Sequence, residues 1–332
     1  QAGVFLLREL GADFISFGSE AGDPVQLRQA LRRMLSAEKS PEMSRFLAEG
    51  KSYPRARAEA AAALYGEEAA ALLKGANNLL GLEYLRAAEE LAPDMEFLTV
   101  PRIGAGHDAA NPEEGFSSAS ALRQGIRSKG LEICRPFLPE PSFRLLETEI
   151  QQNRAPSDMG RLERVLLAQL RRLAPEDFAL LPDVNEGLEH RLFRASQTAR
   201  SLAEWEQTVK TKRYTLARIR RILCAALLEI PATLPQGLPE YLRILGCNQR
   251  GLEILAQAKR NPRRQIPIGT SFARLFQDQS LTARLSLQID CRATDYWALS
   301  LPEVLPTGLD FTQPTRFLSK KHSPETSAAG KP

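Results

Sequence analysis

Residues that bind metals or form disulfides are scarce in this chain of 332 residues, which holds 4 cysteines and 3 histidines. Cys134, Cys224, Cys247 and Cys291 lie far apart, form no C-x-x-C pair and have no neighbouring histidine to complete a zinc set. Zinc ribbons and disulfide-stapled scaffolds are thereby excluded, and the four are expected to be buried free thiols in a reducing cytosol. His107, His190 and His322 are too scattered for a histidine-rich centre, so no metal site is expected. Long apolar runs are missing too. None approaches the roughly 18 residues of a membrane span. The opening, QAGVFLLRELGADF, has neither an initiator Met nor the basic-then-apolar order of a secretory signal. It enters folded structure at once, so the numbering is expected to begin inside a domain.

What is present is ordinary for a soluble globular protein: 43% hydrophobic and 25% charged residues, in a chain long enough for two domains. The net charge of +4 hides an asymmetry. Residues 1–150 carry 17 Lys and Arg against 22 Asp and Glu, whereas the remainder carries 27 against 18. A basic half of that kind suits a polyanion, and a solvated helical surface gives the same count.

Periodicity predicts an α/β pattern in the first half. GVFLLRELGADFISFGSE reads as a helix end, a turn and a strand FISF that breaks at Gly18. DPVQLRQALRRML follows with a cap-like Asp and Pro in the first turn, then further helices through NNLLGLEYLRAAEELAPDM, and a second strand in MEFLTVPR. A Pro-rich stretch, CRPFLPEPSF, and the polar QQNRAPSDMG mark a boundary near 150–160. The expected organisation is a domain over 1–150, a mainly helical basic domain over 151–318 and a disordered tail over 319–332. Within the second domain, SLQIDCRATDYWAL is expected to hold one late strand and a closing helix.

Four stretches at strand-to-helix junctions carry residue types that suit a nucleotide. FGSEAGD, at Phe17 to Asp23, places Gly18 and backbone N–H groups at the carboxyl edge of a parallel sheet, where α/β proteins bind nucleotides. ANNLLG presents Asn77 and Asn78 before an apolar helix, one to cap it and one to offer an amide to a base, ribose or phosphate. In VPRIGAGHD, Arg102 ends the second strand with a guanidinium fork that matches phosphate or carboxylate oxygens. SSASALR puts Ser117 and Ser118 at a helix N-terminus, with Arg123 reaching toward the same anion. Each has a plain alternative as a turn, a cap or a solvated charge; their succession favours a nucleotide site. In the basic half, KTKRYTLARIRRIL sets Lys210, Lys212, Arg213, Arg218, Arg220 and Arg221 around Tyr214. Spaced cations with an aromatic suit an RNA backbone and an unstacked base, against the competing reading of a solvated face.

Taken in order, LGADFISFGSEAGD, GKSYPRA, NNLLGLEYLRA, TVPRIGAGHD, SSASALR, EGLEHRLFRASQTA, KTKRYTLARIRRIL and RATDYWAL resemble the bacterial tRNA(Met) cytidine acetate ligase family. The resemblance runs from near residue 1 to about 300. It implies a Rossmann-like nucleotidyltransferase domain of the HxGH type, here incomplete, followed by a helical tRNA-binding domain, in a cytoplasmic enzyme. Such an enzyme uses ATP with Mg²⁺ to activate acetate as acetyl-adenylate, then acetylates N4 of the wobble cytidine of elongator tRNA(Met). Carried onto this sequence, the ATP-contacting residues are Gly18, Asn77 and Arg102, with Arg123 and the neighbouring Ser118 in the late phosphate-binding motif.

The family opens with a strand and an H-x-G-H loop on the ATP phosphates, and no such segment occurs in these 332 residues. The first residues align after it, which accounts for a ligand loop as early as FGSEAGD and makes catalysis by these residues alone doubtful. Two other readings stay open: a small-molecule nucleotidyltransferase of the same fold, and a non-catalytic RNA-binding fragment.

Overall fold

The computed structural model describes residues 1–73, 75–101, 117–185, 187–211, 213–234, 237–277 and 279–318. The chain begins with helix α1 (Ala2–Glu9) and strand β1 (Phe14–Ser19). Helices α2 (Pro24–Glu38), α3 (Pro41–Ala48), α4 (Tyr53–Tyr65), α5 (Glu67–Leu72) and α6 (Ala76–Leu91) then lead to strand β2 (Glu96–Pro101). The two strands pair in parallel, from Phe14 opposite Glu96 to Ser19 opposite Pro101. Parallel neighbours need a long crossover, which α2–α6 supply. Local chemistry starts these helices, α2 at the Asp that the sequence predicts. Asp23 accepts from the Val25 N–H at 2.8 Å with Pro24 behind it, and Ser40 accepts from the Met43 N–H at 3.2 Å ahead of α3.

Next come α7 (Ala119–Lys129), α8 (Glu140–Gln151), α9 (Glu163–Arg172), α10 (Pro175–Ala179), α11 (Leu188–Thr198), α12 (Leu202–Val209) and α13 (Leu216–Leu228). The last part holds β3 (Leu242–Arg243), β4 (Gly246–Asn248), α14 (Gln249–Arg260), β5 (Ile268–Gly269), α15 (Phe272–Gln277), α16 (Leu281–Leu299), α17 (Leu309–Thr312) and β6 (Arg316–Leu318). β3 pairs with β5 and β4 with β6, both in parallel.

Two compact units emerge. One gathers Gln1–Arg102, Gln236–Ala283 and Phe311–Pro332; the other gathers Ile103–Pro235 and Arg284–Asp310. The first buries α2, α4 and α6 around Leu27, Leu31, Met34, Leu82 and Leu85, with Val4, Ile15 and Met95 closing the other side of β1 and β2. The second is helical around Leu166, Leu170, Phe178, Leu188, Leu192, Trp205, Ile219 and Ile222.

This division differs from the boundary expected near residue 150. The Pro-rich stretch at 134–143 is taken up by a short 3₁₀ turn, Leu131–Phe137, and α8, within the second unit rather than between units. The chain returns instead to its first unit after residue 235, a return that composition does not signal. SLQIDCRATDYWAL lies wholly in α16, so the expected late strand is absent. Residues 319–332 lie outside the described residues. Of the four thiols, all free, only Cys134 is fully buried, and Cys224 is exposed.

Candidate functional site

The loop after β1 is tied to the start of α6. The α6 helix begins after Gly75, which has no side chain to cap it, and its first N–H groups would be unsatisfied. Glu20 caps it from outside. One carboxylate oxygen accepts from the Asn77 amide Nδ2 at 2.8 Å and from the Asn77 backbone N–H at 3.2 Å, and the other accepts from the Asn78 N–H at 2.7 Å. Asn78, buried, answers in reverse: its Oδ1 accepts from the Ala21 N–H at 3.0 Å. Partial burial pushes the Glu20 pKa up, but the hydrogen bonds from Asn77 and Asn78 outweigh it and hold the carboxyl below its ordinary range.

Two glycines make this fit possible. A Cβ on Gly75 would stand 2.7 Å from the Glu20 carboxylate, and one on Gly81 would stand 2.4 Å from the Phe17 ring. That ring is held edge-on by Tyr84 at 5.6 Å and Phe97 at 6.4 Å between centroids. On the far side of the loop, the Thr99 hydroxyl donates to the Gly22 carbonyl at 2.9 Å, and the Gly22 N–H donates to Ser19 Oγ at 2.8 Å.

Gly18 and Asn77 therefore lie at one locus, the carboxyl edge of β1 against the α6 N-terminus. Gly18 is exposed, and the nearest atom to a Cβ placed there is the Val100 carbonyl oxygen at 3.9 Å, an ordinary contact. Neither asparagine is the N-cap that the sequence allowed. Asn77 is half-buried with its amide NH₂ oriented by Glu20, which leaves its carbonyl oxygen and the Gly18 backbone as the groups a nucleotide could meet. Missed in the sequence was Glu20, whose place two residues after Gly18 in FGSE was the available signal.

Ser118 caps α7, its Oγ accepting from the Ala121 N–H at 3.1 Å, and Arg123 is exposed one turn on. Both belong to the second unit. Arg102, His107 and Asp108 lie outside the described residues, as does Lys212.

The basic stretch at the start of α13 departs from expectation. Tyr214 is only 8% exposed and sits in the helical core, with the Arg218 guanidinium 5.3 Å from its ring centre. It is therefore no exposed platform for a base: a tyrosine next to the Thr215 cap packs inward to close the helix start. The cations nearby are largely engaged. Arg218 donates to the Asp183 carbonyl and to Asn185, Arg221 pairs with Asp183 at 2.9 Å, and Arg220 forks onto Glu206 at 2.8 and 3.0 Å. Lys210 and Arg213 are exposed. Beside Arg220 opens a cavity of about 680 Å³ lined by Leu223, Cys224 and Leu227 of α13 and by Tyr296 and Trp297 of α16. Trp297, 46% exposed, is the accessible aromatic there. No helix among the described residues is long and apolar enough to cross a membrane.

Comparison with known proteins gives these geometries a frame. The family model described as HIGH Nucleotidyl Transferase matches residues 1–308. The tRNA(Met) cytidine acetate ligase of Alkaliphilus metalliredigens is 32% identical over 90% of this chain and 74% of its own length. That of Thermoanaerobacter sp. is 30% identical over 91% of this chain and 75% of its own length. Among solved structures, apo Thermotoga maritima TmcAL matches with a TM-score of 0.85 at 28% identity, covering 96% of this chain and 80% of that one. The same protein bound with alpha-thio ATP matches with a TM-score of 0.83.

Proposed function

The chain belongs to the tRNA(Met) cytidine acetate ligase family, within the HIGH nucleotidyltransferases, and from that premise we propose that it is an ATP-dependent ligase acting on elongator tRNA(Met) in the cytoplasm. Likeness to that family over nearly the whole chain, ATP-analogue-bound relative included, is the observation that carries this reading.

The reaction has two steps. An acetate oxygen attacks the α-phosphorus of ATP, the bond to the β-phosphate oxygen breaks, and pyrophosphate leaves. The N4 amine of the wobble cytidine then attacks the acetyl carbonyl, AMP leaves, and the amine loses a proton. No covalent enzyme intermediate is needed, so the protein's contribution is alignment and charge stabilisation.

Gly18 offers its backbone beside the nucleotide, and Asn77, its amide held by Glu20, offers its carbonyl oxygen. Arg102 and Arg123 supply guanidinium groups to phosphate oxygens, and Ser118 its capped helix start. Mg²⁺ would be carried by the triphosphate: among the described residues no group of three or more His, Cys, Asp or Glu gathers to hold it. On the RNA side, Lys210, Lys212 and Arg213 are the cations assigned to the tRNA backbone, while Arg218 and Arg220 are held by Asp183, Asn185 and Glu206. Acetyl transfer requires the wobble base to be unstacked, as enzymes acting on bases require generally.

Incubating the protein at its native length with ATP, Mg²⁺, acetate and elongator tRNA(Met) tests the reading. The expected product is N4-acetylcytidine at the wobble position, with AMP and pyrophosphate released in step. Pyrophosphate release with no acetylated RNA would keep the nucleotidyltransferase chemistry and remove the tRNA substrate.

A further inference from the structure

Resting on the tRNA reading above, we infer that the loop following α14, with Lys259, Arg260, Arg263 and Arg264, is a docking surface for tRNA phosphates in the first unit, separate from the basic start of α13. The segment 236–283 carries 7 Lys and Arg against 3 Asp and Glu, and four of those cations fall in the six residues KRNPRR. All four are exposed.

Helix electrostatics account for only half of them. Lys259 and Arg260 lie in the last turn of α14, where a cation complements the helix dipole. Arg263 and Arg264 lie beyond the helix end and gain nothing from it. Neither the Lys259 ammonium nor the Arg260 or Arg264 guanidinium has an acidic partner among the described residues. Arg263 approaches Asp94 at 3.6 Å, but with side chains 83% and 89% exposed this pair is screened and readily exchanged for a phosphate. On α13, by contrast, Arg218, Arg220 and Arg221 already have close protein partners.

The loop is also held in shape, which lowers the ordering cost of binding. The Asn261 side chain accepts from the Arg263 N–H at 2.9 Å, and the Arg264 N–H donates to the Asn261 carbonyl at 3.2 Å. Glu9, only 1% exposed, anchors the far end by accepting from the Gln265 and Ile266 N–H groups at 2.6 and 3.2 Å. Arg263 and Arg264 thereby border a cleft of about 650 Å³ that Arg8 also lines, beside Asp13 and Met95 at the amino ends of the two strands. This is the opposite edge of the sheet from Gly18. A rigid, cationic, solvent-facing loop suits the sugar–phosphate backbone, which is read by charge rather than by sequence.

The test is elongator tRNA(Met) binding to the full chain, titrated between about 50 and about 200 mM salt. Arg263→Gln with Arg264→Gln is compared with Arg45→Gln with Arg55→Gln, which removes two exposed arginines elsewhere in the same unit. The loop pair is expected to weaken binding at least about fivefold at low salt and to flatten the log–log salt slope by about one to two. The control pair should stay within about twofold, and Arg263→Lys with Arg264→Lys should restore the slope. Equal binding by the loop and control pairs overturns the inference while leaving the ligase reading intact. A wild-type chain that binds no tRNA overturns both.

Discussion

At the scale of single residues, the first unit rests on two close fits between β1 and α6. Alanine at Gly81 would gain roughly 1 kcal/mol in helix propensity. Its Cβ would also press to 2.4 Å on a Phe17 ring that Tyr84 and Phe97 keep from turning aside. Overpacking of that kind costs about 1–3 kcal/mol, so strain wins. Gly81→Ala is expected to destabilise the protein by about 1 kcal/mol, read as a lower denaturant midpoint. Glu20→Gln tests the other fit. A neutral amide accepts less strongly from Asn77 and Asn78 and leaves the Asn77 amide free to swing, so the KM for ATP in pyrophosphate exchange should rise about three- to tenfold with kcat changed less.

The Glu20 pH dependence has a definite sign. Its folded pKa lies below the ordinary value, so its contribution to stability is present above that value and is lost as pH falls through the folded pKa. The stability difference between wild type and Glu20→Gln should therefore shrink on acidification below the ordinary carboxylate range. Gly18 and Asn77 were singled out in the sequence on local signals, a Gly where a strand ends and an Asn where a helix starts, and they fall inside β1 and in the first turn of α6. Glu20 was not singled out, because its role depends on a partner 57 residues away. Tyr214 was misread for a related reason: an aromatic among cations looks the same in sequence whether it faces RNA or the core.

At the scale of elements, helix starts with their own caps, such as Asp23 and Ser118, were legible, whereas α6, expected to be capped by Asn77 or Asn78, begins after Gly75 and is capped from a distant loop. The late strand expected in SLQIDCRATDYWAL fails instructively. Leu287, Ile289 and Cys291 alternate like one face of a strand, yet Ala283 and Leu287, four apart, are both fully buried within one helix, and the helical period wins over the longer window. The α13 start shows how charge counts mislead when partners are unseen. Replacing Lys212, Arg213 and Arg220 together by Gln is expected to weaken tRNA(Met) binding and flatten its salt dependence. Arg220→Gln alone should change binding less than twofold, because its guanidinium already serves Glu206. A fluorescence titration of the two variants side by side separates an RNA-facing element from a self-paired one.

At the scale of the whole molecule, the two-part α/β and helical character follows from periodicity, but the path of the chain between the parts does not. Composition marks a boundary where polar and Pro-rich residues cluster. It carries no mark for a segment that leaves one core and returns to it after more than a hundred residues, as 236–283 does. The contacts that bring it back include specific ones. The buried Glu9 carboxylate accepts two backbone N–H groups from a loop more than 250 residues later, and Leu10 packs with Leu255, Ala258 and Ile268. Glu9→Ala leaves those two N–H groups without their acceptor in a buried site, at a cost of about 1–3 kcal/mol. If the segment shares a cooperative unit with residues 1–102, the variant should speed hydrogen exchange together in α1, in α14 and in the loop at 261–268, and leave α9–α13 at the wild-type rate. Faster exchange in α9–α13 as well would mean that the chain opens as one cooperative body, and faster exchange in the loop alone would reduce the Glu9 clamp to a local latch.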